Sequence, residues 1–193
     1  MRSGGSSGNE QLTAIVSTVL LVLLAAEGAT ILQIRQLLTV HAFIGMLFVP
    51  VVLVKLATTG WRLTRYYLGG AEYVVRGPPH IVLRALVAPV VVASTILVFG
   101  SGVALLALDE RHGTLVGLHK ASFVVWFGAM SLHVLARAPR LFRALGERVP
   151  GLALRIGLAG SAFLAGAVLA TATLPAAERL QDGVSAYFGV DRS

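Results

Sequence analysis

The chain alternates long apolar runs with short polar stretches. Residues 36–54, 85–108 and 156–177 carry no charged side chain, and two shorter apolar runs, 11–26 and 121–136, extend past a single ionisable group. A helix needs roughly 20 mostly apolar residues to cross a bilayer. The pattern therefore predicts five membrane-spanning helices, at about residues 11–31, 38–59, 82–107, 116–136 and 154–175.

The composition favours one membrane-embedded unit over several soluble domains. Hydrophobic residues make up 56% of the 193 and charged residues only 13%, whereas soluble domains carry about 25% charged residues. We expect an all-α transmembrane helical bundle over 11–176, with a flexible Gly/Ser-rich tail at 1–10 and an extracytoplasmic tail at 177–193. The first apolar run exceeds the roughly 7–15 residues of a signal sequence, so we interpret it as a retained helix.

The basic residues predict the orientation of the bundle. Eleven of the sixteen Lys and Arg residues lie at the N-terminus or flank two alternate loops, 60–80 and 137–153. Cytoplasmic loops carry an excess of Lys and Arg. We therefore expect a multi-pass protein of a bacterial-type cytoplasmic (inner) membrane with its N-terminus in the cytoplasm. This pattern also explains the net charge of +7, so we expect no nucleic-acid partner.

Histidines are the candidate chemistry, because ionisable residues inside a span are costly and often functional. The predicted topology places His41 and His119 near the outer ends of spans two and four, and His133 near the inner end of span four. His80 lies just before span three on the inner side, and His112 lies in an outer loop. The chain has no cysteine, which excludes disulfides and thiolate-held metal centres.

His119 and His133 share one face of span four. Fourteen residues at ~100° each fall about 40° short of four full turns, and the two positions are about 21 Å apart along the axis. That distance is too long for one metal ion but suits two stacked haems, each with one axial ligand from this helix. His41 matches His119 in depth, and His80 matches His133 roughly. Two imidazoles fill both axial positions of an iron, so electron transfer is the expected task.

Four further residues fit this hypothesis. Gly45 follows His41 by four residues on the same helix face, and a missing side chain there lets a flat macrocycle lie against the backbone. Arg62, Arg65 and Arg137 lie at the inner surface, where haem propionates would emerge, and guanidinium groups bind carboxylates well.

These residues also have structural interpretations. A membrane histidine can hydrogen-bond a neighbouring helix, and Gly45 can allow helices to approach closely. His80, in the segment RGPPH, can be a turn or interface residue. Glu27, near the outer end of span one, has three possible roles: an ion pair with Arg35, a position among lipid headgroups, or a proton relay.

The patterns His119–x13–His133 and His41–x3–Gly45 resemble the bacterial cytochrome b561-like superfamily of membrane di-haem b-type cytochromes, over about residues 36–137. The resemblance implies a four-helix haem-binding core with one or two non-covalent b haems. It implies that His41 and His119 ligate one iron and that His133 serves a second. It further implies electron transfer from a cytoplasmic-side or quinol donor to an extracytoplasmic acceptor. The expected partners are the bilayer, a quinone, and a partner redox subunit or a second copy of the chain.

One departure from the family and two rival hypotheses remain. Span one has no histidine, although the best-known members take a ligand for the inner haem from it. Either His80 substitutes, or the second haem is altered or absent.

The first rival is a cofactor-free assembly subunit or small transporter whose histidines are structural or carry protons. The second is an enzyme that uses haem to reduce a metal or an ascorbate-type substrate, for which the sequence shows no pocket.

Overall fold

The computed structural model describes residues 4–75 and 81–188, and the part of the chain it describes is almost entirely helical, without strands. Five of its helices are long and apolar enough to cross a membrane, so the predicted all-α bundle with five spans is confirmed. The elements are α1 Gly5–Ile31, α2 Ile34–Tyr67, α3 Ala71–Val75, a π-helical turn Leu83–Val87, α4 Ala88–Leu108, α5 Thr114–Gly146 and α6 Leu152–Phe188.

The helices are longer than the apolar runs that predicted them. α1 begins at Gly5, so residues 5–10, expected in a flexible tail, form its first turns. α6 continues through residues 177–188, also expected to be a tail. In that stretch Gln181 is buried, and its side-chain amide donates to the Arg35 carbonyl oxygen. Polar contacts of this kind hold helix ends that hydropathy alone does not detect.

Four of the long helices form a closed ring. α1 packs against α2 and α5, and α4 packs against α5 and, over a shorter length, against α2. The ring therefore has α2 and α5 at opposite corners, and these two helices make no close backbone contact along their described lengths. Side chains on α2 and α5 can meet only across the interior of the ring.

The fifth long helix, α6, lies outside this ring and packs along α2. Small residues allow the close approach. A Cβ added at Gly166 would collide with the backbone carbonyl of Leu47, and Ala159, Ala162 and Ala170 are buried. Packing through small residues is typical of helix pairs in membranes. α6 thus supports α2 from outside and leaves the interior to the other four helices.

Candidate functional site

His41 on α2 and His119 on α5 face each other across the interior of the ring. Their ring centroids are 6.4 Å apart, and the two ring planes stand at 85°. Both residues are partly buried. The structure therefore brings together the two histidines that sequence analysis paired by depth.

The connection between α1 and α2 supplies polar partners for His41. A two-residue link separates the helices, and the α2 backbone leaves helical geometry at Leu37 (φ −108°, ψ 18°). The first turn of α2 therefore acts as part of the connection, and His41 lies level with the end of α1. There Thr30 Oγ1 lies 2.9 Å and Glu27 Oε1 lies 3.1 Å from His41 Nδ1.

The Thr30 hydroxyl links His41 to the end of α1. Thr30 Oγ1 lies 2.6 Å from the Glu27 backbone carbonyl oxygen, which is an acceptor for its single proton. When the hydroxyl donates there, it accepts a hydrogen bond from His41 Nδ1, in the tautomer that carries hydrogen on that nitrogen. Nε2 then keeps its lone pair, which is the state in which a neutral imidazole binds a metal.

His119 has the same arrangement, built from a different helix. Ser101 on α4 donates its hydroxyl proton to the Leu97 carbonyl oxygen at 2.6 Å and lies 3.0 Å from His119 Nδ1. By the same reasoning Nδ1 carries the hydrogen and Nε2 the lone pair. The neighbouring Gly102 leaves space for the ring, because a Cβ there would lie 3.1 Å from His119 Cε1.

This geometry suits one metal between two imidazoles. With metal–nitrogen bonds of about 2.0 Å, two imidazoles on opposite sides of one iron place their ring centroids roughly 6 Å apart. The separation of 6.4 Å is close to that spacing. Residues 4–75 and 81–188 include no group of three or more His, Asp or Glu side chains placed to hold a bare ion. A haem iron needs only two protein ligands, so the donor set fits haem better than a bare cation.

An aromatic layer crosses the interior next to the two histidines. The ring centroids of Phe48 on α2 and Phe99 on α4 are 5.6 Å apart, and those of Phe99 and Trp126 on α5 are 6.5 Å apart. Trp126 Nε1 donates to Thr95 Oγ1 at 2.9 Å, which fixes the indole. Phe48 and Trp126 each follow the histidine of their own helix by seven residues, about 10 Å along the axis. The layer therefore separates the histidine pair from the opposite end of the bundle.

His133 lies at that opposite end, among cationic side chains. Lys55 and Arg137 are near enough for their charges to act on it, and Arg62 acts on Arg137 in turn. No second histidine accompanies His133 in the described part of the chain. His80, its predicted partner, lies outside the described residues, so the inner haem stays a prediction.

Gly45 and Arg65 make contacts that sequence analysis did not foresee. A Cβ added at Gly45 would lie 3.6 Å from Glu27 Oε1, so this small residue faces the α1 carboxylate that pairs with His41. The Arg65 guanidinium carbon lies 5.8 Å from the centroid of the Trp61 ring. Arg65 is 24 residues along α2 from His41, about 36 Å, so a propionate contact by Arg65 would belong to the inner haem and stays a prediction.

Three residues of the site were missed: Thr30, Ser101 and Lys55. Hydroxyl residues commonly bond their own helix backbone in membrane spans, so Thr30 and Ser101 carry little signal in the sequence. Lys55 did carry one. It follows His41 by fourteen residues, the same spacing that relates His119 to His133. Glu27 was considered as a partner of Arg35, whereas in the structure its carboxylate pairs with His41.

Comparison of the chain with protein families, with curated proteins and with solved structures found no match. What the chain does must be inferred from the geometry of its own residues.

Proposed function

We propose that the chain is a membrane b-type cytochrome, which transfers electrons through a haem b held between His41 and His119. One observation carries the proposal. The two imidazoles lie 6.4 Å apart across the ring, and each has its hydrogen bond at Nδ1, which leaves Nε2 as the ligand atom.

The protein's own groups set the properties of this site. The Thr30 and Ser101 hydroxyls each contact one ring at Nδ1, which leaves Nε2 of both rings as the atom that would bind iron. The Glu27 side chain lies beside His41 Nδ1, and in its ionised form it would make that imidazole a stronger donor. Haem iron with two imidazole ligands supplies a one-electron couple without an open position for oxygen. Electron transfer therefore fits these residues better than oxygen chemistry.

The route of the electrons follows from the predicted orientation. With the N-terminus in the cytoplasm, the histidine pair lies near the extracytoplasmic face of an inner membrane. The acceptor is then on that face, and the donor is a quinol or a reductant from the cytoplasmic side. A partner redox subunit or a second copy of the chain completes the route.

The direct test is a visible spectrum with a pyridine haemochrome assay on protein purified from haem-replete cells. We expect one haem b for each chain, with the spectrum of low-spin, bis-imidazole iron. His41→Ala and His119→Ala should each abolish it. His112→Ala is the matched control, because His112 is exposed and its ring lies beside Tyr187, with ring centroids 6.3 Å apart. A colourless wild-type protein would contradict the proposal and favour a cofactor-free protein in which Glu27 and His41 form a structural pair.

A further inference from the structure

Positive charge gathers on α2 and α5 at the end of the ring away from the histidine pair. Arg137 is central to this group, since other cations on both helices act on it or on its neighbour His133. Glu10 on α1 is the carboxylate that acts on Arg137, and it lies 3.9 Å from the nearest guanidinium nitrogen of Arg140. The cationic cluster consists of Lys55, Arg62, Arg137 and Arg140.

Two members of this cluster, Lys55 and Arg137, make described contacts that bring them little negative charge. Lys55 Nζ donates to Ser17 Oγ at 2.5 Å and to the Thr13 carbonyl oxygen at 3.4 Å, and both acceptors are neutral. Arg137 Nε is buried and has no hydrogen-bond partner among the described residues. Buried charge without a counter-charge is unfavourable in a protein and more so in a membrane. An anionic group would relieve this deficit.

An apolar groove leads towards the cluster. A cavity of about 320 Å³ lies between α1 and α5, and it is apolar apart from Ser131. Its lining runs from the buried Trp126 of the aromatic layer to the exposed side chains of Phe127 and Leu135. On α1, Ser17 lies one turn from the groove residue Leu21, and on α5, Arg137 lies one turn from Val134. The groove therefore ends about one helical turn from the cluster.

The depth of the cluster in the membrane identifies the kind of anion. Arg137 follows His119 by eighteen residues, about 27 Å along α5, which approaches the ~30 Å thickness of the hydrocarbon core. If the histidine pair lies near one surface, the cluster lies at the other surface, level with lipid phosphates. Basic pockets between membrane helices bind anionic headgroups.

We propose that this end of the bundle binds an anionic phospholipid. Its phosphate would contact Lys55, His133 and Arg137, and one acyl chain would lie in the groove between α1 and α5. The proposal does not depend on haem at His41 and His119, because Arg137, the proposed phosphate contact, lies about 27 Å along α5 from His119. It requires both the cationic cluster and the apolar groove, and each can be changed separately.

The test is native mass spectrometry of the delipidated, detergent-solubilised full chain, titrated with dioleoylphosphatidylglycerol or dioleoylphosphatidylcholine. We expect one tightly bound phosphatidylglycerol and a preference of at least tenfold over phosphatidylcholine. Lys55→Gln and Arg137→Gln should each lower that preference about fivefold, equivalent to about 1 kcal/mol for each cation. Arg143→Gln, an exposed position on the same helix, is the matched control and should leave it unchanged.

A second variant tests the groove without altering charge. Met130→Trp should fill the cavity and weaken binding of both lipids, and sn-glycerol-3-phosphate, which has no acyl chain, should compete only at far higher concentration than the lipid. Equal affinity for the two lipids, or equal effects of Arg137→Gln and Arg143→Gln, would overturn the proposal. It would also fail if a neutral short-chain quinone displaced phosphatidylglycerol at equimolar concentration. The proposal would also be overturned if the wild-type protein held a second haem that His133→Gln lacked, because this end of the bundle would then bind haem.

Discussion

The α2–α5 diagonal carries two facing pairs of side chains at two levels, and the pairs differ in chemistry. His41 faces His119 at one level, and fourteen residues further along the same two helices Lys55 and His133 occupy the other. At the first level a hydroxyl from a flanking helix accepts from each imidazole. At the second, the lysine is itself a donor and takes its acceptors from α1.

The comparison separates what helical spacing determines from what it leaves open. A repeat of fourteen residues places two side chains on one face at two depths. It does not determine what those side chains can bind. That depends on the residue on the facing helix and on the groups beside it, here two hydroxyls at one level and a set of cations at the other.

The largest expected difference is between removing the imidazole at the first level and removing the imidazole at the second. His119→Ala should abolish haem binding, whereas His133→Ala should leave the haem content and the spectrum unchanged, because no second described imidazole faces it. Haem-to-protein ratios from the pyridine haemochrome assay measure both. If His133→Ala lost haem, the two levels would be alike in chemistry and the comparison would fail.

The hydroxyls should have the next largest effect. Thr30→Val and Ser101→Ala each remove the hydroxyl beside one Nδ1 while leaving the ligand in place. Glu27 Oε1 still lies 3.1 Å from His41 Nδ1, so Thr30→Val should have the smaller effect of the two. Losing an outer contact of this kind typically costs 10–100-fold in metal affinity, so we expect haem affinity to fall by about that factor. Titration of the haem-free protein with haemin measures it.

Ser122→Ala is the control for the hydroxyl variants. Its hydroxyl donates to the His119 backbone carbonyl at 3.0 Å and not to the ring. Haem affinity should be unchanged in this variant. A loss equal to that of Ser101→Ala would mean that helix packing, rather than ring orientation, is responsible.

Two glycines beside the first level should respond unequally to alanine. A Cβ at Gly102 would lie 3.1 Å from the His119 ring, whereas one at Gly45 would meet Glu27 Oε1 at 3.6 Å, an ordinary contact. Gly102→Ala should displace the ring and weaken haem binding about fivefold, the effect of roughly 1 kcal/mol of crowding. Gly45→Ala should bind haem as the wild type does, and the same haemin titration compares them. Equal haem affinities in the two variants would show that the His119 ring can move away from the added methyl group without weakening haem binding.

The smallest expected change is in redox potential. Glu27→Gln keeps a hydrogen-bonding group beside His41 but removes the negative charge that Glu27 carries when it is ionised. Because that charge favours oxidised iron, the midpoint potential should rise by tens of millivolts, roughly the scale of a 1 kcal/mol change in a nearby interaction. A spectroelectrochemical titration measures the shift, and Lys55→Gln should leave the potential almost unchanged. A fall in potential would contradict the role given to Glu27.

The five spans could be predicted because lipid imposes a strong apolar signal on every residue that faces it. The ends of α1 and α6 could not, since residues 5–10 and 177–188 are polar enough to resemble tails. What holds those ends is contact with other helices, such as Gln181 with the Arg35 carbonyl. Apolar periodicity did not show which helix packs outside the ring, because helix–helix contacts in membranes rest on small residues. A four-helix core with a fifth, accessory span was expected only from the family resemblance.

For the candidate site, the sequence allowed His41 and His119 to be paired by depth alone. It did not reveal Thr30 or Ser101, because each bonds its own helix backbone and contacts a histidine only when a neighbouring helix is in place. Lys55 was assigned to the basic inner loops from its charge, which obscured its register with His41. The burial of a side chain and the groups it contacts depend on the folded bundle, and the spacing of residues along the sequence does not determine them.

The aromatic layer has a consequence for bioenergetics. Phe48, Phe99 and Trp126 close the interior between one polar level and the other, and the indole uses its donor within the bundle, on Thr95. Apolar rings in that position disfavour a continuous hydrogen-bonded chain of water molecules between the two membrane faces. In a membrane that holds a potential, such a layer would slow the passage of protons between the ionisable groups at the two ends of the bundle.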